Sequence, residues 1–237
     1  MKKIYPVILI LVSLVSCSSG PEVIPGKGAV YGTITAESHK DVIAKASRSG
    51  GGFYDDGKVV FSDLMVNYEK LKELFVCVLD PSFSGGNNHL LIANNENMSQ
   101  RSLALAKGDR LTIQNNSSQT LTFFIAGGED DIQVFSPAKP GKRSVITVQM
   151  EGELELGSDE NESLTTILLS RRGLVGQQHS SGDNYSFENL SPGQYKILYW
   201  FWRLGFVEKT IYIKEGENIE INQILSVDKI MQSKNET

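Results

Sequence analysis

Reactive and metal-binding side chains are scarce in this chain, which has 2 cysteines and 3 histidines among 237 residues. Two cysteines exclude a disulfide-dense mini-protein, and so few thiols and imidazoles leave little material for transition-metal or nucleophilic chemistry. The net charge of −5 provides no basic surplus, which argues against a nucleic-acid partner. The 40% hydrophobic content is that of an ordinary globular protein, with length for one large or two small domains. Composition by itself assigns no function.

No hydrophobic run is long enough to span a membrane, but a short one opens the chain. Lys2 and Lys3 precede an apolar stretch over residues 4–14, which ends in Leu-Val-Ser-Cys at Cys17. This length, with small residues at its end, is typical of a secretory signal peptide. The Leu-Val-Ser-Cys sequence also resembles the lipobox of bacterial lipoproteins, and an ordinary signal peptide with a chance cysteine is the alternative.

The lipobox resemblance implies that residues 1–16 are removed and that Cys17 carries acyl chains such as palmitate. These chains would attach the protein to a membrane, because each buried CH2 contributes about 0.8 kcal/mol. The serine that follows Cys17 favours the outer membrane of the bacterial cell envelope, and residues 17–27 are predicted to form a lipidated tether. Removal of the signal peptide takes away two lysines and changes the net charge to −7. Cys77 is then the one free thiol, and its apolar run at residues 74–79 predicts a buried, inert side chain.

After the tether, short runs with β-strand character alternate with turn residues. Residues 110–114, for example, alternate polar and apolar side chains as a half-buried strand does. Only residues 63–73 have a mixed pattern that a helix could accommodate, and residues 227–237 form a polar tail. Many short strands at regular spacing predict an all-β sandwich or barrel.

Two segments carry a resemblance to known families. Residues 182–195 (GDNYSFENLSPGQY) resemble the carboxypeptidase-regulatory-like, or transthyretin-like, β-sandwich, and residues 106–116 (AKGDRLTIQNN) look like a conserved step of cupredoxins. Their order is similar to secreted proteins of the methylamine-utilisation type. The resemblance implies a cupredoxin-like Greek-key sandwich over residues 28–170, packed with a smaller transthyretin-like sandwich over residues 171–226.

The same resemblance implies where a type 1 copper site would lie, with a cysteine, two histidines and a weak methionine as ligands. Those positions fall on Thr122, Ser158, Asn161 and Leu164. None of the four is a usable copper ligand, and neither cysteine nor histidine occurs within a few residues of them. We therefore expect no metal and no other cofactor. His39, His89 and His179 stand alone in polar or turn contexts and are predicted to be solvated.

Residues 195–202 form the densest aromatic stretch, and alternation makes this strand apolar on both faces. Such a strand is either central and covered on both sides or part of an exposed aromatic platform. In the second case Trp202 and Phe206 could stack on sugars or contact a partner. The favoured interpretation is a non-enzymatic envelope lipoprotein that binds or scaffolds an envelope protein or glycan partner. The alternatives are a copper or electron-transfer accessory protein and a carbohydrate-binding module.

Overall fold

The computed structural model describes residues 20–37, 68–127 and 131–226. The predicted signal peptide, Cys17, His39 and the polar tail lie outside these residues. The described residues form sixteen β-strands and one short 3-10 helix, Tyr68–Lys70. The strands are β1 (Gly28–Ala36), β2 (Leu74–Leu79), β3 (Asn88–Ala93), β4 (Ser102–Ala106), β5 (Arg110–Asn115), β6 (Phe123–Ala126), β7 (Ile132–Val134), β8 (Arg143–Thr147), β9 (Gly152–Ser158), β10 (Thr166–Arg171), β11 (Leu174–His179), β12 (Asn184–Leu190), β13 (Gly193–Phe201), β14 (Gly205–Ile213), β15 (Asn218–Glu220) and β16 (Gln223–Leu225). Within the described ranges, no helix has the length and apolarity needed to cross a membrane.

The first sandwich, which we call the outer-chain sandwich, is built from both ends of the described chain. One of its sheets has the order β12-β1-β15, with β16 also paired to β1, and the other has the order β11-β2-β13-β14. Alternate side chains of β1 and β13 point between the sheets, and Ile34, Ile197 and Tyr199 are fully buried there. The hydroxyl groups of Tyr185 and Tyr199 lie 2.7 Å apart in this core, so their polar atoms are satisfied by each other.

The second sandwich, the inserted sandwich, consists of β3 to β10. Its sheets have the orders β4-β10-β9-β6-β7 and β3-β5-β8, and each contains one parallel pair, β4 with β10 and β3 with β5. The predicted alternation in residues 110–114 is present in β5, where Leu111 and Ile113 are fully buried and Arg110 is exposed. Phe123 and Leu156 complete the centre of this core from the opposite sheet.

A third apolar cluster joins the two sandwiches. The outer face of β2 and β13 packs on the outer face of β4 and β10, and Cys77, Leu169 and Trp200 are fully buried between them. The Trp200 indole also donates a 2.7 Å hydrogen bond from Nε1 to Oε1 of Glu153 on β9. The four sheets therefore form a continuous stack in which three apolar layers alternate with the sheets.

The predicted all-β sandwich class is confirmed, and the apolar strand over residues 195–202 is central and covered on both sides. The predicted domain division between residues 170 and 171 does not follow the strand pairing. β1 pairs with β12, and β2 lies between β11 and β13, so the first two strands belong with the C-terminal third of the chain. The physical reason is that β13, apolar on both faces, needs an apolar neighbour in its sheet, and residues 74–79 provide it.

Residues 20–27 are the part of the predicted lipidated tether that the structure describes. They lie against the outer-chain sandwich, where Ile24 N donates to Oδ1 of Asn189 at 2.9 Å. Lys27 O accepts from Gly216 N at 2.8 Å, which joins this segment to the turn before β15.

Candidate functional site

The structure brings the four expected copper-ligand positions to one end of the inserted sandwich. Thr122 directly precedes β6, Ser158 ends β9, and the loop over residues 159–165 follows. Glu160 occupies the space between them. Its carboxylate accepts hydrogen bonds from Thr122 N at 2.7 Å, from Thr122 Oγ1 at 2.8 Å and from Ser158 Oγ at 3.0 Å. We call this arrangement the Glu160 clasp.

The remaining two positions fix the rest of the loop. Asn161 Oδ1 accepts from the backbone nitrogen and hydroxyl of Ser163, which forms a compact turn, and Asn161 Nδ2 donates to Asn95 O at 2.9 Å. Leu164 is fully buried in the core of the inserted sandwich. The hydrogen bonds of Asn161 and the burial of Leu164 in the core therefore both hold the loop in place.

The electrostatics of the clasp favour a charged Glu160. Partial burial opposes ionisation, but hydrogen bonds from Thr122 and Ser158 outweigh it and lower the pKa of Glu160 below its ordinary value. These donors occupy both carboxylate oxygens. Among the residues that the structure describes, no group of three His, Cys, Asp or Glu side chains could hold a metal ion.

A cleft of about 800 Å³ lies where the two sandwiches meet, beside the same loop. The turn between β13 and β14, with Trp202 and Arg203, forms one wall. Ser163 and Thr165 of the clasped loop and Arg101 before β4 line it from the inserted sandwich. The cleft is therefore made by both sandwiches, and its shape depends on their fixed packing.

The two aromatic side chains predicted as a binding surface are half-buried rather than open. The guanidinium of Arg203 lies 4.6 Å from the ring centre of Trp202, and that of Arg171 lies 5.9 Å from the ring centre of Phe206. Trp202 also packs against the apolar clusters of the outer-chain sandwich and of the junction. Stacking of a sugar on Trp202 would have to displace Arg203 from the ring.

Positive charge collects at the cleft of this otherwise acidic protein. Lys72, Arg101 and Arg203 line it, against the carboxylates of Glu73 and Glu96. Glu73 is already engaged, because its oxygens accept from Arg101 N at 3.3 Å and from Ser102 Oγ at 3.1 Å. No carboxylate of the described residues forms a salt bridge with the three cations. Unpaired cations beside a cleft are suited to an anionic ligand.

The prediction of solvated histidines is wrong for both histidines that the structure describes. His89 Nε2 lies 2.8 Å from Oδ2 of Asp109, a buried carboxylate that also accepts from Asn87 N and Ala106 N. His179 is half-buried, and its buried Nε2 has no hydrogen-bond partner among the described residues. Burial lowers the pKa of His179, and the charge of Asp183 opposes this only in part. His89 lies on β3 and His179 on β11, and neighbouring residues of the fold cover part of each side chain.

Cys77 behaves as its apolar run predicts. It is fully buried, and burial raises the pKa of its thiol far above the ordinary value. Sequence reasoning missed Glu160 and the three cleft cations. The one available signal for Glu160 was its place between Ser158 and Asn161, while the cations come from separate segments that only the fold brings together.

No protein-family model and no curated protein sequence matches this chain. Solved structures similar to part of it include forms of amicyanin, a cupredoxin. A copper(I) form of a methionine-to-alanine variant is 12% identical, and the match covers 34% of this chain and 79% of that protein at a TM-score of 0.31. An oxidised methionine-to-lysine variant is 12% identical over 41% of this chain and 98% of that protein, at a TM-score of 0.32. The similarity is weak and concerns part of the chain.

Proposed function

We propose that the chain is a non-enzymatic lipoprotein of the bacterial envelope that binds an anionic partner in the cleft between its two sandwiches. The anchor would be Cys17, whose Leu-Val-Ser-Cys context resembles a lipobox. The observation that carries the binding role is the cleft of about 800 Å³, because it combines both sandwiches, a half-buried tryptophan and three cations that form no salt bridge with the described carboxylates.

The charge of the cleft supports an anionic partner over a neutral one. The Arg203 guanidinium lies 4.6 Å from the centre of the Trp202 ring, and a guanidinium group can bind a carboxylate through two parallel hydrogen bonds. Arg101 lines the cleft from the inserted sandwich, and its backbone nitrogen donates to Glu73 Oε1 at 3.3 Å. Ser163 and Thr165 also line the cleft, but their hydroxyl groups already donate to Asn161 Oδ1 and Glu162 O, so the cations carry the attraction for a carboxylate-bearing glycan of the envelope.

The clasp weighs against the copper alternative. A copper site would need soft or imidazole ligands at Thr122, Ser158, Asn161 and Leu164. Two of these positions bind Glu160, one forms a turn, and one is apolar core. Binding of a neutral carbohydrate has less support than binding of an acidic glycan. A neutral sugar would have to stack on the Trp202 ring, which the Arg203 guanidinium already contacts.

The binding role is tested by titrating the purified lipoprotein with solubilised peptidoglycan, a neutral glucan and polyglutamate. We expect saturable binding to peptidoglycan, weakened about fivefold in Arg203→Gln and in Arg101→Gln, since a charged contact contributes about 1 kcal/mol. Arg110→Gln is the matched control, because Arg110 is exposed on the other side of the inserted sandwich. Equal weakening in the control, or no binding to peptidoglycan, contradicts the proposal, and preferential binding of polyglutamate points to an acidic protein partner instead.

The anchor is tested separately by mass spectrometry of the protein from bacterial membranes. An acylated N-terminal peptide that starts at Cys17 is expected, and Cys17→Ser should release the protein into the soluble fraction. Membrane retention of Cys17→Ser without any acyl group would contradict the anchor.

A further inference from the structure

The start of the described chain is fixed to one end of the outer-chain sandwich. Asn218 Nδ2 donates to Pro21 O at 3.0 Å, and Asn189 Oδ1 accepts from Ile24 N at 2.9 Å. Gly20 lies against the side chain of Asn218, because a Cβ atom added to Gly20 would stand only 2.7 Å from Asn218 Nδ2. The chain is thus held from its first described residues onward.

The segment between the proposed lipid and this fixed point is short. Cys17 and Gly20 are separated by three Cα–Cα steps, which span at most about 11 Å. A bilayer that holds acyl chains at Cys17 would therefore lie beside the end of the sandwich where Gly20 and Asn218 meet. We call this the anchor end.

The outermost part of the anchor end is apolar. Ile24 is 60% exposed, and Pro25 beside it is exposed in the same turn. The charged residues of this segment and of the turn before β15 are of both signs, Lys27 and Lys214 against Glu22, Glu215 and Glu217, so this end has no strong charge of one sign. Any approach to a membrane would therefore depend on the short anchor and the apolar turn, not on attraction to charged lipids.

The cleft lies at the other end of the same sandwich. β13 begins with Gly193, which pairs with Ile213 next to the anchor end. It ends with Phe201, and the following residue, Trp202, lines the cleft. The eight steps from Gly193 to Phe201, at about 3.3 Å each, give a separation of about 26 Å along the strand.

We propose that the lipid anchor at Cys17 holds the turn of Ile24 and Pro25 against the bilayer surface, so that the cleft faces away from that membrane. The inference rests on the proposed lipidation of Cys17. It assigns the anchor end as a lipid-contacting surface and places the partner of the cleft outside the anchoring bilayer. A lipid headgroup of that bilayer is thereby excluded as the ligand.

The experiment uses the full-length lipidated protein in phosphatidylcholine–phosphatidylethanolamine vesicles that contain a headgroup nitroxide quencher. A fluorophore is attached to Pro25→Cys or to Arg203→Cys, each in a Cys77→Ala background. The label at position 25 should lose about half of its fluorescence, because Pro25 is exposed at the same end of the sandwich as Gly20, which the anchor keeps within about 11 Å of Cys17. The label at position 203 should keep its fluorescence.

A flexible Gly-Ser insertion of about twelve residues between Ser19 and Gly20 is the control, and it should abolish the quenching at position 25. Equal quenching at both positions, or none at position 25, overturns the orientation when mass spectrometry finds Cys17 acylated. Quenching at position 25 that persists with the insertion overturns the role of the short anchor. An unacylated Cys17 with no vesicle binding overturns the proposed lipoprotein and this orientation together, so the two failures are distinguishable.

Discussion

Replacing Trp200 with phenylalanine should lower the free energy of unfolding of the whole protein by about 2–2.5 kcal/mol. Trp200 is fully buried between the sandwiches and donates to Glu153 at 2.7 Å. Loss of this hydrogen bond costs about 1–1.5 kcal/mol, because the exposed Glu153 carboxylate regains water. The smaller ring leaves a void of about 40 Å³, which costs about 1 kcal/mol at 24 cal/mol per Å³. The contact with Phe75, whose ring centre lies 5.4 Å away, is largely kept.

Urea unfolding monitored by far-UV circular dichroism and by fluorescence measures this effect. The midpoint should fall by about 1 M in one cooperative transition, because the shared cluster makes the two sandwiches unfold together. Trp202→Phe is the matched control, and its half-buried ring should cost less than about 1 kcal/mol. Equal effects of the two variants, or separate transitions for the two probes, would refute the idea that Trp200 couples the sandwiches.

Three further predictions concern the clasp, the thiol and the chain order. Glu160→Gln should destabilise the protein by about 1 kcal/mol at pH 7. Because folding lowers the pKa of Glu160 from its ordinary 4.5, the thermal-shift difference from the parent should be complete above pH 4.5 and disappear as the pH falls from there through the lower pKa of the folded state. Cys77 should resist thiol reagents in the native protein and react only in urea, whereas fast native labelling would contradict its burial. A fragment of residues 171–226 should give the NMR spectrum of an unfolded chain, since it lacks β1 and β2, and dispersed signals would disprove the pairing argument.

The sequence predicts local features of this protein well. The run at residues 74–79 is strand β2 with the same bounds, and Cys77 is buried as its apolar neighbours indicate. Residues 195–202 are apolar on both faces, which indicates a central strand, and β13 does lie between β2 and β14. These predictions succeed because side-chain periodicity and hydrophobicity are local properties of a strand, which can be read without knowing the rest of the fold.

The missed features depend on contacts between residues distant in the chain. β2 and β11 are separated by the entire inserted sandwich, and no local pattern distinguishes that pairing from a boundary at residue 170. His89 looks solvated in sequence because Asp109, its partner, follows twenty residues later in the chain. A polar residue near a turn is equally compatible with water and with a buried partner.

The clasp and the cleft share one loop, and this explains why the loop can stay ordered without a metal. A metal ion would tie the start of β6, the end of β9 and the loop together through its ligands. Here the Glu160 carboxylate joins the first two through Thr122 and Ser158, and Leu164 fastens the loop to the core. Ser163 and Thr165, whose hydroxyl groups donate to Asn161 Oδ1 and Glu162 O within the loop, line the cleft. The hydrogen bonds at the expected copper position therefore also fix one wall of the proposed binding site. A substitution that removes the hydrogen bonds of Glu160 should weaken ligand binding as well as lower stability.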